Sequence, residues 1–146
     1  MFKKTKKYYM EVKETDRETL TKTYWKRSIS ALTDADVAIA SERWNNAAGR
    51  IYYAVYYAVC SLFVNDGFQI KSHRGAKNVL NKEYVLTGKI NKELSRFFSQ
   101  METLRDEADY DMFFEATKED IMDYRPKAEA FIAAVKELLD EEFMGK

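Results

Sequence analysis

The stretch from Ala47 to Phe63 constrains this chain more than any other. Ile51, Tyr52, Tyr53, Val55, Tyr56, Tyr57, Val59, Leu62 and Phe63 make it apolar nearly all the way round a helix, with no turn signal until Asn65-Asp66-Gly67. A buried strand of that length is excluded, because strands with continuous apolar runs are short. A helix apolar on every side belongs at the centre of a bundle. The other helices of the chain must therefore surround it.

The flanking sequence supplies them. Thr15-Asp16-Arg17-Glu18 has the form of a capping box and predicts a first helix starting there and running to about Arg43, with Leu20, Tyr24, Ala31, Ala35 and Ile39 as its apolar stripe. Asn45-Asn46 can break or cap before the central helix. Ser72 is a fitting N-cap for a third, shorter helix through Val79, Leu80 and Tyr84, closed by Thr87-Gly88. Asn91 can cap a fourth, whose Leu94, Phe97, Phe98, Met101, Leu104 and Ala108 recur at threes and fours. Thr117-Lys118-Glu119-Asp120 resembles a further capping box, ahead of a last helix striped with Ile121, Tyr124, Ala128, Phe131, Val135 and Leu138. Pro126 should kink or restart that helix, since its ring removes a donor and crowds the preceding turn. The expectation is an all-α fold, an up-and-down four-helix bundle with one additional short helix. A length of 146 residues suits one domain, with residues 1–14 as a basic N-terminal extension.

Composition narrows the function classes. With 46% apolar residues, 33% charged, five Gly and one Pro, the chain is unlike disordered or collagenous sequences. Cys60 is the only cysteine and His73 the only histidine, so neither an intrachain disulfide nor a zinc site of Cys and His ligands can form. No apolar run approaches the roughly 20 residues of a membrane span, and Met1 to Met10 lacks the apolar stretch of a secretory signal. A cytoplasmic setting without membrane contact is expected. Net charge is zero, but residues 1–30 carry +5, residues 31–99 carry +3 and residues 100–146 carry −8. Such ends can pair within the bundle or between subunits, or offer a basic face to a polyanion.

Three places could carry chemistry. On the central helix, i to i+4 spacing sets Tyr52 over Tyr56 and Tyr53 over Tyr57, with Tyr24 on the neighbouring helix and Arg50 one turn before Tyr53. This is either core packing or a ledge on which a base or a second subunit could stack. His73 and Arg74, following Lys71-Ser72, would suit a phosphate, though an ordinary exposed turn looks the same. Arg105 closes the fourth helix in Leu104-Arg105-Asp106-Glu107-Ala108-Asp109-Tyr110. It either pairs with Asp109 four residues on or, drawn toward the interior, offers its fork to a substrate phosphate. Gly-rich phosphate loops and Ser/His/Asp sets are missing, and Glu137, Asp140, Glu141 and Glu142 read as a solvated face. A di-iron bundle would need Glu-x-x-His pairs that one histidine does not supply.

Four segments together resemble the HEPN domains, in particular the small prokaryotic branch found with minimal nucleotidyltransferases. They are Trp44-Asn45-Asn46-Ala47-Ala48-Gly49-Arg50-Ile51-Tyr52-Tyr53-Ala54, Lys71-Ser72-His73-Arg74-Gly75, Thr87-Gly88-Lys89-Ile90 and the segment Leu104 to Tyr110, within a likeness over residues 16–142. The resemblance implies a four-helix core with a short extra helix, a homodimer, and a superfamily that includes RNA-cleaving toxins and nucleotide-binding partners of nucleotidyltransferases. In its ribonuclease members an Arg is followed four to six positions later by a His. Here Arg105 matches the Arg, but Asp109, Tyr110 and Asp111 stand where the His would be, and His73 lies 32 positions upstream. An unperturbed Asp is a poor proton donor at pH 7 and Tyr a poor base, so binding is expected to outlast efficient cleavage. The expected function is a nucleotide- or RNA-binding module paired with a nucleotidyltransferase in a toxin–antitoxin-like system. The alternatives are a metal-independent endoribonuclease toxin and a structural dimerisation protein. Ligand-binding residues would be Arg50, Tyr53, His73, Arg74 and Arg105; catalytic ones, in an enzyme, Arg105, Asp109 and Tyr110. No metal and no cofactor are expected.

Overall fold

The computed structural model describes residues 9–139. Strand β1 (Tyr9–Glu11) leads into α1 (Glu14–Ala40) and α2 (Trp44–Asn65), then β2 (Phe68–Ile70), α3 (His73–Val79), a π-helical turn (Leu80–Val85), α4 (Lys92–Tyr110) and α5 (Lys118–Leu139). The all-α expectation holds, with four long helices and one short one. A two-stranded antiparallel ribbon was not legible beforehand: Tyr9 faces Ile70 and Glu11 faces Phe68. Three-residue strands carry no periodicity to read, and Gly67, at a φ of 105°, makes the turn into β2. Part of the expected basic extension is thus strand; residues 1–8, and Asp140, Glu141 and Glu142 at the other end, lie outside the described residues.

α2 is the centre of the bundle, as its apolarity demands. By length and composition it is also long and apolar enough to cross a membrane, contrary to the sequence expectation. Its apolar surface is instead covered by the other helices: Ile51, Tyr52, Val55, Val59, Leu62 and Phe63 are all buried. α1 packs on it through the small members of the expected stripe, Ala31 and Ala35, and through further small residues, not through its large members. Thr21, Ser28, Ala31, Ala35 and Ala38 are buried, whereas Leu20, Tyr24 and Ile39 stay half-buried at the margins. Small side chains let the two backbones approach closely, and each helix sends one hydroxyl across. Ser28 donates to the carbonyl of Ala54 at 2.6 Å, and Ser61 donates to that of Thr21 at 2.8 Å.

Helix ends follow the predicted chemistry in three cases of four. Ser72 accepts from the Gly75 amide at 3.1 Å, Asn91 from Leu94 at 3.0 Å and Thr117 from Asp120 at 3.1 Å. The Thr15 box is different: the N-cap of α1 is Lys13, two residues earlier, which makes no side-chain cap, and the helix ends at Ala40 instead of Arg43. Asn45 does not break the chain. It sits in the first turn of α2 and clamps the α4–α5 link, accepting from the Ala116 amide at 2.7 Å and donating to the Phe114 carbonyl at 3.2 Å. α5 runs through Pro126 without restarting. Pro126 and Met122, whose carbonyl loses its partner, are both exposed, so water can replace the missing bond.

Candidate functional site

Where α2, α3 and α4 meet, a histidine and an arginine converge on one tyrosine. The ribbon and the Ser72 cap set His73 at the first position of α3, against the tyrosine face of α2. Tyr52 and His73 Nδ1 are 2.6 Å apart, and the imidazole stacks on the Tyr56 ring with centroids 4.2 Å apart. Tyr53 meets it edge-on at 6.0 Å. From the other side α4 brings in Arg105, whose guanidinium carbon lies 5.0 Å from the Tyr52 ring centre and 5.8 Å from that of Tyr53. Arg50, one turn before Tyr53 on α2, lies 5.1 Å from the same ring. Cations at such distances from aromatic rings are attracted by the ring quadrupole.

The charges of this cluster are only loosely matched. Arg105 is 9% exposed, yet its nearest acids are Asp106 at 3.3 Å and Asp109 at 3.8 Å, both about half exposed. Its Nε is buried without a partner. The expected i,i+4 pair with Asp109 is thus the longer of two contacts, too long for a hydrogen bond. Burial first, and then the positive charge of Arg105, hold His73 below its ordinary value against an opposing pull from Asp106. Burial raises the Tyr52 hydroxyl well above the usual range, so it keeps its proton. The arrangement that leaves no buried hydroxyl proton unpaired has Tyr52 donating to Nδ1, which puts the neutral imidazole's own proton on Nε2. His73 is then a hydrogen-bond donor whose basic lone pair is already engaged.

The expected residues divide accordingly. Arg50, Tyr53, His73 and Arg105 come together; Arg74 is exposed and acts on Glu102, and Tyr110 ends α4 at 77% exposure. Sequence reasoning missed Tyr52 as the residue joining His73 to Arg105, because nothing along the chain relates α2 to α4. It also missed Glu102, one turn before Arg105, a spacing that could have revealed it. Burial raises the Glu102 carboxyl, with Lys77 pulling it back down. Of the tyrosine row, Tyr52 is fully buried core, while Tyr53, Tyr56 and Tyr57 are half-buried at the rim. Cys60, buried on α2, has its thiol pushed up to about 12 and is inert at neutral pH. Among the described residues no group of three or more His, Cys, Asp or Glu could hold a metal ion.

A profile of the HEPN domain matches residues 21–138. The chain belongs to the HEPN family. This HEPN protein is 37% identical to the UPF0332 protein of Thermotoga maritima over 119 residues, 81% of this chain and 90% of that one. Two proteins of Methanocaldococcus jannaschii, both described as toxin candidates, are also similar. One is 30% identical over 68% of this chain and 67% of its own length, the other 26% identical over 75% and 81%.

Proposed function

We propose that this HEPN protein is a binding module for a phosphate-bearing ligand, a nucleotide or an RNA end, working with a nucleotidyltransferase-type protein in a toxin–antitoxin-like pair. One observation carries the ligand: Arg105 is buried, yet its fork is held by nothing closer than 3.3 Å and its Nε has no partner. A permanently charged guanidinium left this way by its own chain has bidentate capacity for an anion. His73 Nε2–H is a further donor for a phosphate oxygen, and Tyr53 a half-buried ring on which a base can stack. The toxin descriptions of two relatives support the biological setting, and the partner follows from the family likeness. Calorimetry with nucleoside mono-, di- and triphosphates tests the ligand. Saturable binding lost in Arg105→Met is expected; heat-silent titrations with all three, and with a short oligoribonucleotide, would defeat the reading. Co-purification with a nucleotidyltransferase encoded beside this chain tests the partner.

A second reading, metal-independent RNA cleavage, is favoured by the way Tyr52 joins His73 and Arg105. In that reaction a base takes the 2′-hydroxyl proton, the 2′-oxygen attacks phosphorus and the 5′-oxygen leaves with a proton. His73 is neutral enough for the first step only if it gives up the Tyr52 hydrogen bond. Cleavage of structured RNA by nuclease-free protein, abolished in Arg105→Met, would establish this reading over pure binding.

A further inference from the structure

A groove of about 330 Å³ runs beside the Arg105 cluster, between α3 with its π-helical turn and the first half of α4. Lys77, Asn78 and Asn81 line one wall; Lys92, Ser95, Arg96 and Ser99 line the other. The lining contains no acid. Among the described residues, Lys77, Lys92 and Arg96 have no carboxylate oxygen within 4.0 Å, although Lys77 acts at longer range on Glu102. Glu93 belongs to the neighbouring hollow on the α5 side, which Arg96 also borders. Three cations with two hydroxyls and two amides between them, and no acid in the lining, match a row of phosphates.

The groove adjoins the described cluster through α3. Lys77 follows His73 at i+4 on that helix, and Lys77 and Arg105 both act on Glu102, while Lys92, Arg96 and Ser99 share one face of α4 at spacings of four and three. We propose that this groove is a second anion site, separate from Arg105, that takes successive phosphates of a single-stranded RNA whose end lies at the Arg105 cluster. The inference rests on the phosphate reading of Arg105 and extends it from a mononucleotide to a strand. Ser95 and Ser99 supply uncharged donors between the cations, as in backbone contacts that position a strand without reading its bases.

Fluorescence anisotropy with labelled oligouridylates of one, four and twelve nucleotides tests this, comparing the natural protein with the double variant Lys92→Gln, Arg96→Gln. Both side chains are exposed and form no ion pair among the described residues, so the fold should be unaffected, and an unchanged thermal midpoint checks that. Lys77 is left alone because it acts on Glu102. The natural protein should bind the twelve-mer at least tenfold more tightly than the mononucleotide. The double variant should lose most of that gain, lower the dependence of log affinity on log salt by about 1.4, and leave mononucleotide binding intact. Inorganic polyphosphate of equal charge is the control for source, and tighter binding of it than of the oligonucleotide would overturn RNA as the ligand. Mononucleotide binding with no gain from length, or a double variant indistinguishable from the natural protein, would overturn the groove alone. Loss of every binding signal in the natural protein would instead fail the Arg105 reading.

Discussion

Two arginines in this molecule have opposite surroundings. Arg125 on α5 has 22% of its side chain exposed and is fully engaged: Nε and Nη2 grip Asp36 of α1 at 2.7 and 3.0 Å, and Nη1 reaches Glu129 at 3.1 Å. Arg105 on α4 is more buried, at 11%, yet reaches its acids only at 3.3 and 3.8 Å. Burial without good pairing is the costlier arrangement for a guanidinium, so a fold selected for stability alone would reverse the two. Arg125 is a strut between the first and last helices. Arg105, set against two tyrosine rings, is the guanidinium that the proposed anion would engage.

Replacing each arginine should break this contrast in opposite ways. Arg105→Met keeps the aliphatic packing and removes the fork, and should weaken nucleotide binding roughly 100-fold, about 2.7 kcal/mol by calorimetry. Its acids are half exposed, so chemical denaturation should show little loss of stability. Arg105→Lys sharpens the point, because it keeps the charge without the bidentate geometry; affinity should fall about tenfold. Arg125→Ala should leave ligand affinity unchanged and lower unfolding free energy by about 1 kcal/mol. A double-mutant cycle with Asp36→Ala should recover most of that as coupling.

The smallest effects are in pH. Arg125 holds the Asp36 carboxyl below its ordinary value. Asp36 therefore contributes stability that is complete above about pH 3.9 and lost as pH falls through its folded value. His73 is lowered too, by burial and by Arg105. Below about pH 6.5 the unfolded chain takes up its proton more readily than the folded one, so stability should fall through that window and level off beneath the folded value. His73→Gln should flatten that limb in denaturation curves at pH 5 to 7. In Arg105→Met the His73 titration followed by NMR should move upward; no movement would show that the two groups do not share one field.

The helices were readable because their signals are local. Ser72, Asn91 and Thr117 cap through bonds spanning three residues, and the stripe of α4 is a property of α4 alone. The Thr15 box misled by two residues, because the chain is extended only as far as Lys13, just after a strand that no periodicity announced. The stripe of α1 held at its small members, Ala31 and Ala35, and misled at its large ones. Large residues signal burial in a sequence, but the central helix is itself bulky, and its partner adds Thr21, Ser28 and Ala38 to the contact so that the backbones can approach, leaving Leu20, Tyr24 and Ile39 at the margins. Within the site, Arg105 and His73 stood out as chemistry in the wrong order for the ribonuclease pattern, Tyr52 stood out only as one of a row of tyrosines, and Glu102 did not stand out at all.

By itself the sequence determined the number and kind of helices, the central place of α2 and the presence of an arginine at the end of an apolar stripe. These rest on hydrophobic period and capping, which act within a few residues along the chain. Only the tertiary structure decided that His73 and Arg105 share Tyr52, that Arg125 is consumed by Asp36 and that Arg105 is not. Those pairings join helices distant in sequence, and their geometry is set by how side chains of three helices fill one space, a constraint no single segment carries.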